Sequence, residues 1–194
     1  RADVWIKIDV GSRRTGIPWQ RLDRVLAVAE EVDKADLLNV RGLLAHAGHA
    51  YHAGSREGIR QVYDETVARM ADVRDGLLGK GFDDVQLSVG DTPTCTLVND
   101  LSGVDEIRPG NFVFYDLMQL EMGVCQEEEI AIAVACPLVA KHEERNEAVV
   151  YGGAVHLSTE SISDSNGAPV FGYVALPTED GWGPAVEGGH VGSL

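Results

Sequence analysis

The chain has 194 residues, enough for one large domain or two small ones, and its 44% hydrophobic content is ordinary for a protein with a packed core. Lys plus Arg number 16 against 31 Asp plus Glu, and the resulting formal charge of −15 argues against nucleic acid or an anionic membrane as partner. No apolar run is long enough to span a bilayer, no secretory signal is visible, and Cys95, Cys125 and Cys136 form no CxxC pair, a pattern that reads as buried, reduced thiols of a cytoplasmic protein.

Val4 to Val10 alternates apolar and polar residues, which predicts a strand ended by Gly11. Pro18 suits a helix start, and Trp19, Leu22, Val25, Leu26, Ala29 and Val32 follow at helical spacing. Val40 to Ala45 predicts a second, buried strand, followed by His46 and Gly48. Ser55 is placed to cap a long helix whose apolar stripe runs from Ile59 to Leu77, with Gly79 and Gly81 as its stop. Val85 to Ser88 predicts a third strand, Gly90 to Pro93 a turn, Thr94 to Leu101 a short helix, and Asp105 to Arg108 a fourth strand. Strand and helix alternate over roughly the first 118 residues, which implies parallel strands with right-handed crossovers. Beyond Leu120 the character changes. An apolar run from Ile130 to Val139 precedes short strands at Ala148 to Leu157, Val170 to Leu176 and Val186 to His190, an antiparallel β region. Both chain ends read as cut: the first strand begins almost at Arg1, and no element ends naturally at Leu194.

In parallel α/β folds, the C-terminal strand ends share one face, and a site forms there. Each of the four strands ends in a polar or glycine-bearing segment: Gly11 to Gly16, His46 to His52, Ser88 to Thr92, and Arg108 to Asn111. Ser88, Gly90, Thr92, Gly110 and Asn111 offer hydroxyls and close-approaching backbone N–H groups to a phosphate. Arg14 and Arg108 add positive charge to an acidic chain. His46 and His49 move protons near neutral pH. The spacing does not require His49 and His52 to converge on His46, because alternate residues at a strand end face opposite ways; no metal is assigned to them.

These motifs resemble those of the alanine-racemase-like, fold-type III pyridoxal-phosphate enzymes. Lys7 to Gly16 is similar to that family's K-x-D-x-G-x-x-R-x-G strand, and Gly42 to Tyr51 to its next strand with a cofactor-contacting histidine. Ser88 to Thr94 resembles the S-x-G-[SD]-T-P-T phosphate loop of the D-threonine aldolase and D-serine dehydratase branch. Arg108 to Asp116 resembles that branch's R/H-P-G-x-Y-x-F-x-D segment, and Tyr151 to Ser158 falls where the branch has a glycine-containing strand of its C-terminal β domain.

The resemblance implies an α/β chain: the second half of a (β/α)8 barrel over residues 1–120, then part of an antiparallel β domain over 121–194. It implies a fragment of a pyridoxal-phosphate-dependent lyase acting on D-3-hydroxy amino acids, working as a homodimer. Ser88, Gly90, Asp91, Thr92, Gly110 and Asn111 would hold the cofactor's phosphate. Arg14 would lie near its phenolic oxygen, His46 beside its ring and Arg108 near its ring nitrogen. His46 or His49 would serve as catalytic base. The cofactor-carrying lysine and the ligands of a divalent metal, zinc or manganese, are expected outside this chain; Lys7 matches an ordinary strand lysine, and His190 is a poor metal ligand. An amino-acid racemase of the same fold, drawing on Tyr151 or Tyr173, and a non-catalytic pyridoxal-phosphate-binding protein are the alternatives.

Overall fold

The computed structural model describes residues 1–152, 156–179 and 181–192. Two compact units emerge, Arg1–Phe112 and Val113–Leu194.

The first unit is built on a five-stranded sheet. Its strands are β1 (Ala2–Asp9), β2 (Ile17–Pro18), β3 (Leu38–Ala45), β4 (Gln86–Val89) and β5 (Glu106–Ile107), in the order β2-β1-β3-β4-β5. Every pairing is parallel, as the strand–helix alternation predicts. Helices α1 (Leu22–Asp33) and α2 (Arg56–Leu78) make the crossovers, and a short α3 (Thr92–Leu97) follows β4. Ile6, Ile8, Leu43, Ala45 and Leu87 of the sheet pack with Val25 and Ala29 of α1 and Met70, Val73 and Leu77 of α2. Leu43 and Leu87 are register partners at full burial, each contributing about 2 kcal/mol by leaving water.

Ser55 caps α2, its hydroxyl accepting the Gly58 N–H at 3.0 Å. At the other end, Gly81 supplies the left-handed turn and Gly79 stays helical. Other boundaries differ from expectation for identifiable reasons. Pro18 opens no helix: with Ile17 it pairs alongside Ile8 and Asp9, so α1 begins only at Leu22. Asp91 takes the N-cap of α3 through the Thr94 N–H, so that helix starts at Thr92, before the expected Thr94. It ends at Leu97 because Val98 turns extended.

In the second unit, Asp116 caps α4 (Leu117–Glu121). Three antiparallel pairs follow: β6 (Leu138–His142) with β7 (Glu147–Val150), β8 (Ile162–Ser163) with β9 (Pro169–Val170), and β10 (Gly172–Thr178) with β11 (Gly181–Val191). The antiparallel expectation holds as three separate ribbons. Only the end of the apolar run joins a strand. The β6–β7 register stops at Leu138 opposite Val150, so earlier residues such as Ile132 and Val134 face no partner strand among the described residues and stay exposed. Residues 153–155 of the expected strand Ala148 to Leu157, and the side chain of His190, lie outside the described residues. Of the cysteines, Cys125 is buried while Cys95 and Cys136 are partly exposed. No helix among the described residues is long and apolar enough to cross a membrane.

Candidate active site

The site residues of the first unit are set by what each strand end does with its backbone. Where β1 ends, Asp9 folds the chain over itself: one carboxylate oxygen accepts the N–H groups of Gly11 at 2.9 Å and Arg13 at 3.0 Å. The loop then returns so tightly that a Cβ on Gly16 would stand 2.8 Å from the Asp9 nitrogen, at a φ of +113° that favours glycine. The Asp, Gly and Gly of the motif are therefore parts of one turn. That turn delivers Arg14 to the exposed rim, while Lys7 stays half-buried on β1.

At the end of β3, His46 Nδ1 lies 2.6 Å from the carbonyl oxygen of Gly90. A carbonyl only accepts, so Nδ1 carries a proton, and in the neutral ring Nε2 is the nitrogen with the lone pair. A Cβ on Gly48 would stand 2.9 Å from Ser12 Oγ and 3.1 Å from His46 Nε2, so the β1 loop and the β3 end meet there.

His49 sits on the following 3₁₀ turn, Gly48–His52, with His52 exposed. Both ring nitrogens of His49 are sealed from solvent and lack a hydrogen-bond partner. Burial, and secondarily the Arg69 guanidinium, hold its pKa below the usual value; Asp91, Glu65 and Asp9 pull the other way. Arg69 itself donates to the Val10 carbonyl at 2.6 Å and to Glu65 at 2.7 Å, and its guanidinium carbon lies 5.7 Å from the centroid of the Trp19 ring. It escaped the sequence reading because a lone arginine on an amphipathic helix reads as solvated.

At the end of β4, the Asp91 carboxylate turns inward, accepting the Thr94 N–H at 2.9 Å and the Thr94 hydroxyl at 2.8 Å. Burial raises its pKa against those two bonds. Thr92 Oγ1 accepts the Asn111 N–H at 3.0 Å, which ties the β4 loop to the β5 loop and leaves the Thr92 proton to donate. A Cβ on Gly90 would meet the Arg108 carbonyl oxygen at 2.7 Å, whereas beside Gly110 there is open space.

Arg108 spans three strand ends. Its Nε donates to Ser88 Oγ at 2.7 Å, and its Nη2 to the carbonyls of Ala45 at 2.6 Å and Ser88 at 3.2 Å. The Ser88 hydroxyl donates in turn to Glu106. Burial lowers the Arg108 pKa, and Glu106 opposes that shift. Glu106 also escaped the sequence reading; its signal is its place two residues before Arg108, on the same face of a strand.

The structure thus gathers His46, Ser88, Gly90, Asp91, Thr92, Arg108 and Asn111 at the ends of β3, β4 and β5, through separate sets of bonds: His46 to Gly90, Arg108 to Ala45 and Ser88, Asp91 to Thr94, and Asn111 to Thr92. It leaves Arg14 exposed on its loop and Gly110 facing open space. Among the described residues, no group of three or more His, Cys, Asp or Glu side chains gathers to hold a metal.

Residues 1–117 match the family described as alanine racemase, N-terminal domain. The chain is 33% identical over 164 residues to D-serine dehydratase of Dictyostelium discoideum, covering 81% of this chain and 41% of that protein. It is 28% identical over 158 residues to D-threo-3-hydroxyaspartate dehydratase of Delftia sp., again with 81% of this chain and 41% of the relative. Among solved structures, an alanine racemase-like protein from Idiomarina loihiensis superposes with a TM-score of 0.79 at 27% identity, over 96% of this chain and 48% of that one. The chain therefore spans about two fifths of the length of the curated relatives it matches.

Proposed function

Because the chain belongs to the alanine racemase N-terminal domain family, we propose that it is part of a pyridoxal-phosphate-dependent lyase acting on a small D-3-hydroxy amino acid. In this reading, residues 1–120 are the second half of a (β/α)8 barrel and residues 121–194 part of a C-terminal β domain. The longer protein is a cytoplasmic homodimer whose cofactor-carrying lysine and divalent-metal ligands, for zinc or manganese, lie outside this chain.

One observation carries the proposal: consecutive parallel strand ends hold His46 and Arg108 by hydrogen bonds to neighbouring backbone carbonyls, next to the close-packed Gly90. The residues present fit the phosphate. Gly90 has no room for a side chain, Gly110 opens onto free space, and Asp91, the next residue after Gly90, spends both carboxylate oxygens on Thr94. Thr92, with the backbone of Gly90, Gly110 and Asn111, would hold the phosphate, and Asp91 would shape the loop that does so. Arg14 would meet the phenolic oxygen and Arg108 the ring nitrogen.

When bound, the pyridoxal group supplies an electron sink for charge developing at the substrate's Cα, a weaker one where a guanidinium meets its ring nitrogen. The chain's own contribution is positional. His46 would lie beside the ring and, with Nδ1 held on Gly90, would offer the Nε2 of its neutral form as proton acceptor. His49 has both nitrogens sealed from solvent, and its ring would stand 3.3 Å from a Cβ on Gly11, so we assign proton handling to His46.

Dehydration of D-serine yields pyruvate, and aldol cleavage of D-threonine yields an aldehyde. The full-length protein should form one of these products. Formation of neither from either substrate would sink the proposal.

A further inference from the structure

Ser88 is completely buried, and its hydroxyl lies between a cation and an anion. The direction of each bond is fixed by valence. The Nε of Arg108 can only donate, so the Ser88 oxygen accepts there, and its single proton is left for the Glu106 carboxylate. No solvent reaches Ser88 to offer that proton another partner. Ser88 and Glu106 are register partners across β4 and β5, and Arg108 lies two residues beyond Glu106, on the same side of the strand. Glu106 also stands 3.5 Å from Arg108 Nε. With Nη2 on the Ala45 and Ser88 carbonyls, the guanidinium plane is fixed by contacts from three strands, and Nη1 is the nitrogen these contacts leave over.

We infer that Glu106 is a positioning residue for Arg108, acting through the Ser88 hydroxyl, and that Ser88 serves this hold instead of the cofactor's phosphate. The inference rests on the cofactor reading proposed above. A phosphate ligand at Ser88 would need the one proton that Glu106 takes, and would leave the Glu106 carboxylate beside the strand end without its donor. The hold matters because a guanidinium free to rotate would present its charge to the ring nitrogen in many geometries, and a clamped one presents it in one.

The test uses the full-length protein and the variants Ser88→Ala, Glu106→Ala and Glu106→Gln. The amide oxygen of glutamine accepts the same hydroxyl, so Glu106→Gln keeps the hold and removes only the charge. In the cofactor-free protein, solvent exchange of the Arg108 Nε–H, followed by nitrogen-15 NMR, should be slow in the wild type and Glu106→Gln. It should be about tenfold or more faster in Ser88→Ala and Glu106→Ala, the loss expected for a hydrogen bond to a charged group. In the loaded protein, Ser88→Ala and Glu106→Ala should shift the absorption maximum of the bound cofactor and lower kcat about tenfold, with KM and cofactor affinity changed less than about threefold. Glu106 is half-exposed, so its variants keep the test alive if Ser88→Ala does not fold.

Two results would overturn the inference. One is unchanged Arg108 Nε–H exchange in Glu106→Ala. The other is cofactor affinity that falls tenfold or more in Ser88→Ala, together with weakened competition by inorganic phosphate, which would return Ser88 to the phosphate. A wild type that takes up no cofactor defeats the enzyme reading and this inference's link to catalysis. The exchange rates still report separately whether Glu106 holds Arg108.

Discussion

The Nδ1 of His46 donates to the carbonyl oxygen of Gly90 at 2.6 Å, joining the end of β3 to the loop after β4. This bond fixes the imidazole tautomer and ring plane, and it occupies the carbonyl of a glycine too closely packed against Arg108 to carry a side chain. The proposed proton acceptor and the proposed phosphate loop therefore share a single contact.

Replacing His46 should reveal that coupling. His46→Gln keeps a side chain able to donate to Gly90 but removes the basic nitrogen. Lyase kcat of the full-length protein should fall about 10²- to 10⁴-fold, the usual contribution of a positioned acid–base group, with cofactor affinity changed little. His46→Ala should lose kcat to a similar degree and weaken cofactor binding as well, because the Gly90 contact goes with it. Wild-type kcat in His46→Gln would remove His46 from proton transfer.

The β1 turn makes a stability prediction independent of chemistry. Gly16 has a φ of +113°, and a Cβ would stand 2.8–3.0 Å from the backbone of Lys7, Ile8 and Asp9. Backbone atoms of a central strand cannot step aside. Gly16→Ala should cost at least about 2 kcal/mol in urea unfolding. A loss under about 0.5 kcal/mol would mean that the turn opens without penalty.

The cap of α2 should behave more modestly. Ser55 accepts the Gly58 N–H at 3.0 Å on an exposed surface. Ser55→Ala should destabilise by about 1 kcal/mol, whereas Ser55→Gly should cost only a few tenths. Equal losses in the two variants would point to packing by Ser55 and not to capping.

What could be read from the sequence tracks how local each cause is. The Ser55 cap, the α2 stripe and the parallel direction of the strands follow from the pattern along the chain, and all three were legible. The place of Pro18 was not, because its partner is the end of β1 and no helix signal reports a two-residue strand. The run Ile130 to Val139 has strand composition, yet only its end finds a ladder, since pairing depends on where β7 stops. At the site, the motif residues were visible as a set, but the division of labour among them was not. Ser88 and Thr92 look alike in the phosphate motif. Register gives Ser88 to Glu106 and Arg108, and gives Thr92 to Asn111.

His49 makes a prediction about pH. Burial and Arg69 hold its folded-state pKa below the ordinary 6.5, against the pull of Asp91, Glu65 and Asp9. The unfolded chain therefore binds a proton at His49 at a higher pH than the folded chain does, and the direction of the effect follows. Well above pH 6.5 both states are neutral there and the residue adds no pH dependence. As pH falls through 6.5 the unfolded state gains protons first, so His49 makes the fold less stable toward acid. Urea midpoints of the full-length protein at pH 7.5 and 5.5 should accordingly fall further apart in the wild type than in His49→Gln, which cannot titrate. Arg69→Met should narrow the gap as well, since it removes the cation beside the ring, although it also breaks the bond to the Val10 carbonyl and lowers both midpoints. Identical pH dependence in wild type and His49→Gln would show that the imidazole takes up its proton in the folded state as readily as in the unfolded one.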